Sequence, residues 1–252
     1  MGDLTRDQIV TEVCDIVGKS VSGLAISGAT LQTRVRTYLN WAQQRIARHY
    51  NFRELTTIYE SATFSSSVKR YPFSSGTNNL GLTRVKDIGS IILIDAYNSR
   101  RMTRYGRPQF EKKIPRPENY ANNRPYIYVV IGQAIEVFPI PDATYSTRIV
   151  YHQWPTAFAS SGQTSDFENK DQLLVVSTVM ETYLALEEYQ DASVWYNKML
   201  GMLIDAVKAE GDVDWEPQAE PFGPIMGNTV SGTPWTEAGA TPDDPLYGYP
   251  DY

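Results

Sequence analysis

Cysteine is nearly absent from this sequence, which has only Cys14 among its 252 residues. One cysteine excludes a disulfide framework within the chain. Cys14 lies beside the apolar stripe of a predicted helix and has no histidine or helix N-terminus next to it, so we expect a packed, inert thiol. Long apolar runs are also missing, because no stretch approaches the roughly 20 residues that a membrane helix needs. We therefore expect no membrane partner.

The signatures of common enzymes are missing as well. The two histidines, His49 and His152, are far apart in the sequence, and neither has a second ligand at metal-site spacing. The sequence contains no Gly-x-Ser-x-Gly, His-Glu-x-x-His or Gly-x-Gly-x-x-Gly motif. We therefore predict that the protein is not an enzyme and has no catalytic residues, metal or cofactor. A hydrolase with an unrecognised carboxylate site stays an alternative, because a catalytic carboxylate pair is not visible in sequence.

Positive charge disappears after Gly211. Residues 1–210 carry 23 Lys and Arg against 21 Asp and Glu, whereas residues 211–252 carry eight acids and no base, with seven prolines and six glycines. Such a segment buries too little apolar surface to fold alone, so we predict an extended acidic arm over 212–252. Its large side chains are expected to anchor it on a partner. The candidate anchors are Trp215, Phe222, Trp235, Tyr247 and Tyr249.

Two amphipathic helices are predicted within residues 1–55. The first, over 4–17, opens with Thr5 and Gln8 at capping-box spacing, and Gly18 is expected to end it. The second runs from about residue 30 to residue 50. One flank of it carries Arg34, Trp41 and Arg48. This flank is either a partner surface, because Trp and Arg are enriched at interface centres, or a solvated edge on which Trp41 fills a gap between helices.

The hydrophobic period changes to two between Thr56 and Trp154, which predicts strands. The clearest hairpin is YIYVVI (126–131), then Gly132-Gln133, then AIEVF (134–138). Successive short strands joined by tight turns indicate an antiparallel meander. We therefore predict that residues 56–164 form a β-rich insertion between two helical halves.

A basic segment, residues 100–116, lies within this insertion and contains a single acid, Glu111. The residues predicted to make an intersubunit or tail contact are Arg100, Arg101, Arg104, Arg107, Lys112 and Lys113. Three interpretations stay open: a solvated loop, a contact with an acidic surface of a neighbouring subunit, or a nucleic-acid contact. The last predicts a nucleic-acid-binding accessory protein, although the segment offers little to stack on or read bases.

Residues 171–211 have the pattern of a helical hairpin. The first half is apolar over most of its circumference, which is typical of a central helix packed on several sides. The second half has one apolar face and ends at Gly211. The predicted fold class is therefore α+β: a helical bundle made of N-terminal helices (1–55) and a long C-terminal helical hairpin (165–211), with an antiparallel β insertion (56–164) and an extended C-terminal arm (212–252).

Three blocks of sequence, taken in order, resemble one protein family. The first is VRTYLNWAQQRIA (35–47) followed by YNFREL (50–55), the second is IEVFPIPD (135–142) followed by VYHQWP (150–155), and the third is SDFE (165–168) leading into DQLL (171–174). Together they resemble the head-to-tail connector adaptor proteins of tailed bacteriophages. The blocks are distributed over most of residues 30–210.

This resemblance implies a structural virion protein that assembles in the cytoplasm of the bacterial host. It implies a homo-oligomeric ring, typically of twelve copies, seated beneath the portal protein with helices in the ring wall. It further implies a C-terminal arm that reaches the portal and a docking surface for the next tail or tail-tube protein. DNA would pass through the channel of the ring without sequence recognition.

Overall fold

The computed structural model describes residues 4–20, 28–94 and 99–211. These residues belong to one unit, Met1–Pro217. The described α-helices are α1 (Arg6–Ser20), α2 (Gly28–His49), α3 (Arg107–Lys113), α4 (Asp171–Ala185) and α5 (Tyr189–Ala209). The described strands are β1 (Thr56–Phe64), β2 (Arg70–Pro72), β3 (Val85–Ile94), β4 (Arg100–Arg101), β5 (Thr103–Arg104), β6 (Ile127–Ile131), β7 (Ala134–Phe138) and β8 (Tyr145–Gln153).

Helix α4 lies at the centre of the helical part, and α1, α2 and α5 each pack against it. Every residue from Leu173 to Tyr183 is buried. Two of the buried hydroxyl side chains bond to the helix itself: Thr178 Oγ1 donates to the Leu174 carbonyl and Thr182 Oγ1 donates to the Thr178 carbonyl, both at 2.7 Å. Because the backbone satisfies these hydroxyls, they enter the core without an unpaired polar group.

The strands form two four-stranded sheets whose strand orders do not follow the sequence. The first sheet has the order β1-β8-β3-β4, and the second has the order β2-β7-β6-β5. All pairs in the first sheet are antiparallel, with β8 between β1 and β3. In the second sheet β7 pairs antiparallel with β2 and β6, whereas β5 and β6 are parallel. The chain therefore crosses between the sheets several times.

The two sheets pack face to face around one apolar core. This core joins Phe64, Ile91 and Ile149 of the first sheet to Tyr71 and Ile135 of the second. The Tyr71 hydroxyl donates to the carbonyls of Ser65 and Val68 at 2.9 and 2.8 Å, and burial raises the pKa of this phenol. The other face of the second sheet is covered by α3, through a smaller core of Phe110, Ile114, Ile127, Val129 and Phe138. The second sheet is thus covered on both faces.

Lys86 of β3 connects the first sheet to the helical part. Its ammonium donates to the carbonyl oxygens of Ala47 and Tyr50, at the C-terminal end of α2. A cation at this position compensates the partial negative charge of the helix end. Burial lowers the pKa of Lys86. The contact fixes the point where the chain leaves the helices and enters the sheets.

The predicted fold class is wrong in its architecture. The described chain is α+β, but it consists of five α-helices and two four-stranded sheets, without the long C-terminal helical hairpin that was expected to complete a bundle. The elements there are two separate helices, α4 of 15 residues and α5 of 21 residues. Apolar periodicity shows which face of a helix is buried, but it does not show which elements cover that face.

Of the other structural predictions, some are wrong and some are confirmed. The meander is wrong, because β1 and β3 both pair with β8, far along the chain. Helix α1 continues past Gly18 to Ser20. The capping contact is confirmed, since the Thr5 backbone N–H donates to Gln8 Oε1 at 2.8 Å. The hairpin of β6 and β7 is confirmed too, with Ile131 opposite Ala134. Two features set by neighbours in sequence, the capping contact and the hairpin, were thus predicted correctly, whereas the end of α1 was not.

Candidate functional site

The basic segment forms one edge strand of each sheet and one short helix. Arg100 and Arg101 make up β4, which pairs with Leu93 and Ile92 at the edge of the first sheet. Arg104 ends β5, the edge strand of the second sheet. Arg107, Lys112 and Lys113 belong to α3. The segment is therefore folded, and its charges divide into those with partners in the chain and those that face outward.

Arg104 links the two sheets. Its guanidinium donates to both carboxylate oxygens of Asp87 on β3, at 2.8 and 3.1 Å, and to the Ile88 carbonyl at 3.0 Å. The hydrogen bond to Asp87 raises the pKa of Arg104. A bidentate contact of this kind is geometrically specific. Arg104 thus has a structural role within the chain.

Two other cations of the segment have neighbours on or next to α3. Arg107 Nε donates to Glu111 at 2.7 Å, one helical turn away. The ammonium of Lys113 lies 5.0 Å from the centre of the Tyr105 ring. Both are exposed contacts, which contribute little to stability because water screens them. They leave the outer surface of α3 accessible.

Arg100 belongs to an exposed surface that contains two tyrosines, here called the tyrosine surface (Arg100, Tyr120 and Tyr126). The Arg100 guanidinium lies 5.9 Å from the Tyr126 ring. Both Tyr126 and Tyr120 pack edgewise on Phe138, with ring centres 6.2 and 5.1 Å away. Tyr120 is 47% exposed and Tyr126 is 40% exposed. Exposed tyrosines beside an arginine are typical of protein interfaces, and no pattern in the sequence indicated these tyrosines.

A second candidate surface is the outer face of α2. Trp41 is 51% exposed and stacks on Tyr38 with a ring distance of 5.3 Å. Arg34 and Gln44 are exposed on the same face. By contrast, Arg45 turns inward and donates through Nε to the buried Glu181 of α4. Trp41 therefore lies on the surface and does not fill a gap between helices.

Three buried charges fix the C-terminal end of α5. The Lys170 ammonium contacts Glu54 and lies 3.2 Å from Glu210, and the side chains of both glutamates are only 7% exposed. Arg53 Nε lies 3.6 Å from the other oxygen of Glu210. A pocket of about 200 Å³ opens beside this cluster. Its members are far apart in sequence, so no local signal predicted it.

The histidines lie in different parts of the fold. His49 is the last residue of α2, whereas His152 is on β8, with Nδ1 3.0 Å from Thr56 Oγ1. Burial lowers the pKa of His152. Among the described residues, no group of three or more His, Cys, Asp and Glu is arranged to hold a metal ion. Burial raises the pKa of the Cys14 thiol, and nearby Asp15 adds to the effect, which favours the unreactive thiol.

Two further sequence-level expectations concern membranes and the arm. Within residues 4–20, 28–94 and 99–211, no helix combines the length and apolarity required to cross a bilayer. The arm lies outside the described residues, and with it the anchors Trp215, Phe222, Trp235, Tyr247 and Tyr249. Docking by the arm therefore stays a prediction.

A family model described as SU10 adaptor protein matches residues 4–221, a range that includes every helix and strand given above. No curated protein matches the sequence. The match defines the class as a structural adaptor of the bacteriophage virion, a class that connects portal and tail proteins. The chain belongs to the SU10 adaptor protein family. The resemblance to head-to-tail connector adaptors is thereby confirmed.

Proposed function

We propose that this adaptor forms a homo-oligomeric ring of about twelve copies that joins the portal to the tail and extends the DNA channel. The observation that carries the proposal is the family match over residues 4–221. A closed ring requires two different complementary faces on each copy. The described chain presents exposed faces on α2, on α5 and around the basic segment, which supports such an assembly.

A mass measurement in solution tests the ring. The purified chain, alone and mixed with portal protein, is expected to give one discrete species with the mass of a closed ring in at least one of the two conditions. The mass of isolated portal serves as the control. A chain that stays monomeric in both conditions, over the concentration range of assembly, contradicts the proposal.

We further propose that the C-terminal arm docks on the portal through its aromatic side chains. The arm carries eight acids and no base, which suits a basic docking surface. Ordering a long segment is costly, so most of the binding free energy is expected to rest on a few anchors, each contributing about 2 kcal/mol or more. The candidates are Trp215, Phe222 and Trp235, with Tyr247 and Tyr249 as additional contacts.

The docking test replaces Trp215, Phe222 and Trp235 together with Ala. The matched control replaces Gln218 and Thr229 with Ala in the same segment. The aromatic variant is expected to remain soluble and to fail to join portal-bearing heads, whereas the control joins them normally. Amide exchange adds a second measurement, since residues 212–252 should gain protection only after assembly. Equal joining by both variants rules out these anchors.

The basic segment is proposed to contact a neighbouring subunit or a tail protein. All six cations are exposed, and Arg104 and Arg107 also pair with carboxylates of the same chain. Replacing Arg100 and Arg101 with Ser should weaken assembly without lowering the melting temperature, because exposed charges contribute about 0–1 kcal/mol to stability. Lys208→Ser, an exposed cation outside the segment, is the control. If the double variant instead loses salt-dependent DNA affinity and assembles normally, the nucleic-acid alternative is favoured.

A further inference from the structure

The outer face of α2, defined by Arg34, Trp41 and Gln44, is basic and has a tryptophan near its middle. Helix α2 contains no Asp or Glu. Two of its arginines are used inside the chain, because Arg45 pairs with Glu181 and Arg36 lies 3.8 Å from Asp7. Arg34 is exposed and forms no ion pair with another described residue. A half-exposed Trp and an unpaired Arg, two turns apart on one helix face, are the residue types enriched at interface centres.

The corner between α4 and α5, defined by Glu187, Tyr189, Asp191 and Val194, has the opposite charge. Residues 186–197 include three acids and no Lys or Arg. Val194 is 65% exposed and Tyr189 is 37% exposed. Glu187 and Asp191 are exposed and form no ion pair with a described residue. The corner is therefore an acidic surface with an apolar centre.

Both surfaces lie at the same end of α4. Helices α2 and α4 are antiparallel, because Arg45 meets Glu181 while Phe52, just after α2, meets Phe167, just before α4, at 5.5 Å. With a rise of about 1.5 Å per residue, Trp41 is about 6 Å and Arg34 about 16 Å beyond Arg45 along the helix axis. Helix α4 ends at Ala185, about 6 Å beyond Glu181 in the same direction, and the corner begins just after it.

The two surfaces also lie on different sides of α4. Helices α2 and α5 each pack extensively against α4, and among the described residues no comparable packing joins α2 to α5. A cyclic ring needs two complementary surfaces on different sides of the subunit. Because its copies are related by rotation alone, the surfaces must also lie at the same height along the ring axis. The α2 face and the corner have this placement when α4 runs along that axis.

We propose that a second copy of this chain is the partner of the α2 face, and that its α4–α5 corner is what binds there. Trp41 packs on Tyr189 and Val194 of the neighbouring copy, and Arg34 pairs with Glu187 or Asp191. The opposite charges and matched apolar centres favour a second copy over an unrelated partner. The inference rests on the proposed ring and assigns the faces that close it.

Charge reversal tests the pairing in the full-length chain. Trp41→Ala and Arg34→Glu should each raise the protein concentration at half-assembly by about tenfold or more, read from the ring fraction by native mass measurement. One of the double variants R34E/E187R and R34E/D191R should regain assembly, because it exchanges the two charges of the pair. Lys208→Glu, at the other end of α5, is the control and should assemble normally. Arg34, Glu187, Asp191 and Lys208 are exposed, so the thermal melting of the charge variants as monomers should be unchanged.

The outcomes separate this inference from the proposed function. If the wild-type chain forms no ring with or without portal, the proposed function fails. If wild-type rings form, and Trp41→Ala and Arg34→Glu assemble like the wild type, only the assignment of faces fails. If both variants weaken assembly but neither E187R nor D191R rescues R34E, the α2 face binds another surface and the pairing is overturned.

Discussion

Arg101 and Arg104 lie three residues apart and have different surroundings. Arg104 donates three hydrogen bonds that hold Asp87 and Ile88 of the opposite sheet. Arg101 lies on the edge strand β4 and is exposed. The same division separates the inward-turned Arg45 from the exposed Arg34 on α2. Residues with buried or bidentate partners hold the fold together, whereas the exposed ones are available for assembly.

His152 provides a prediction about pH at this scale. Burial lowers its pKa below the ordinary value of 6.5, with Asp87 opposing this effect and Lys86 adding to it. The unfolded chain therefore binds a proton near pH 6.5 while the folded chain does not. The contribution of His152 to the free energy of unfolding is fully present above pH 6.5. It decreases as the pH falls from 6.5 towards the pKa of the folded state. Urea unfolding at pH 8 and at pH 5.5 measures the loss.

The control for this prediction is His152→Asn, which keeps a hydrogen-bonding group near Thr56 and does not titrate. The variant should lose less stability than the wild type between the two pH values. An equal loss in both proteins assigns the pH dependence to other groups.

At the scale of elements, α4 shows the difference between an apolar residue and a buried one. Leu184 belongs to the apolar arc of the sequence but is only half-buried, near the end of the helix. Ser177 and Thr178 are polar and fully buried. Position along the helix, and the contact with α1, α2 and α5, decides burial more than residue type does.

Substitutions on α4 test this difference. Val179 is fully buried, so Val179→Asp is expected to cost several kcal/mol, comparable with the whole stability of a domain, and to abolish cooperative melting. Leu184→Asp is the matched control and should be tolerated better, because water reaches the new carboxylate. Thermal melting of the two variants gives the comparison. An equal loss of thermal stability in both variants would show that water reaches the end of α4 no better than its middle.

The cluster at the end of α5 gives a second prediction about an element. Lys170→Met leaves the carboxylates of Glu54 and Glu210 buried without their shared cation. Removing one partner from a buried ion pair costs about 3–5 kcal/mol. Denaturant unfolding should show a loss of this size. The triple variant E54Q/K170M/E210Q removes all three charges and should recover most of the stability. If it stays as unstable as Lys170→Met, the loss comes from packing and not from the unpaired charges.

At the scale of the whole molecule, the apolar cores of the described chain lie upstream of residue 211. They include the core between the two sheets, the core under α3 and the helical packing around α4. A chain that ends after Gly211 should therefore fold, with cooperative melting within a few degrees of the full-length protein. Differential scanning calorimetry of the two chains tests this. A broad, non-cooperative transition in the short chain would mean that residues 212–252 belong to the folded unit.

The sequence predicted much of the local structure and part of the candidate site. The capping contact of Thr5 and the hairpin around Gly132 depend on residues close in sequence, and their patterns were readable, whereas the pattern of the α2 flank left open whether Trp41 fills a gap between helices. The pairing of β1 with β8 and the contact of Lys170 with Glu54 join residues about a hundred positions apart. Local periodicity contains no information about such pairs.

By itself, the sequence determined the helical and strand periods, the change to an acidic composition after Gly211, and the resemblance that the family match confirmed. Only the tertiary structure decided which charges are used within the chain and which face outward. The physical reason is that exposure and pairing depend on distances between elements. Arg34 and Arg45 lie on one helix, but only Arg45 faces Glu181, because α4 packs on that side of α2.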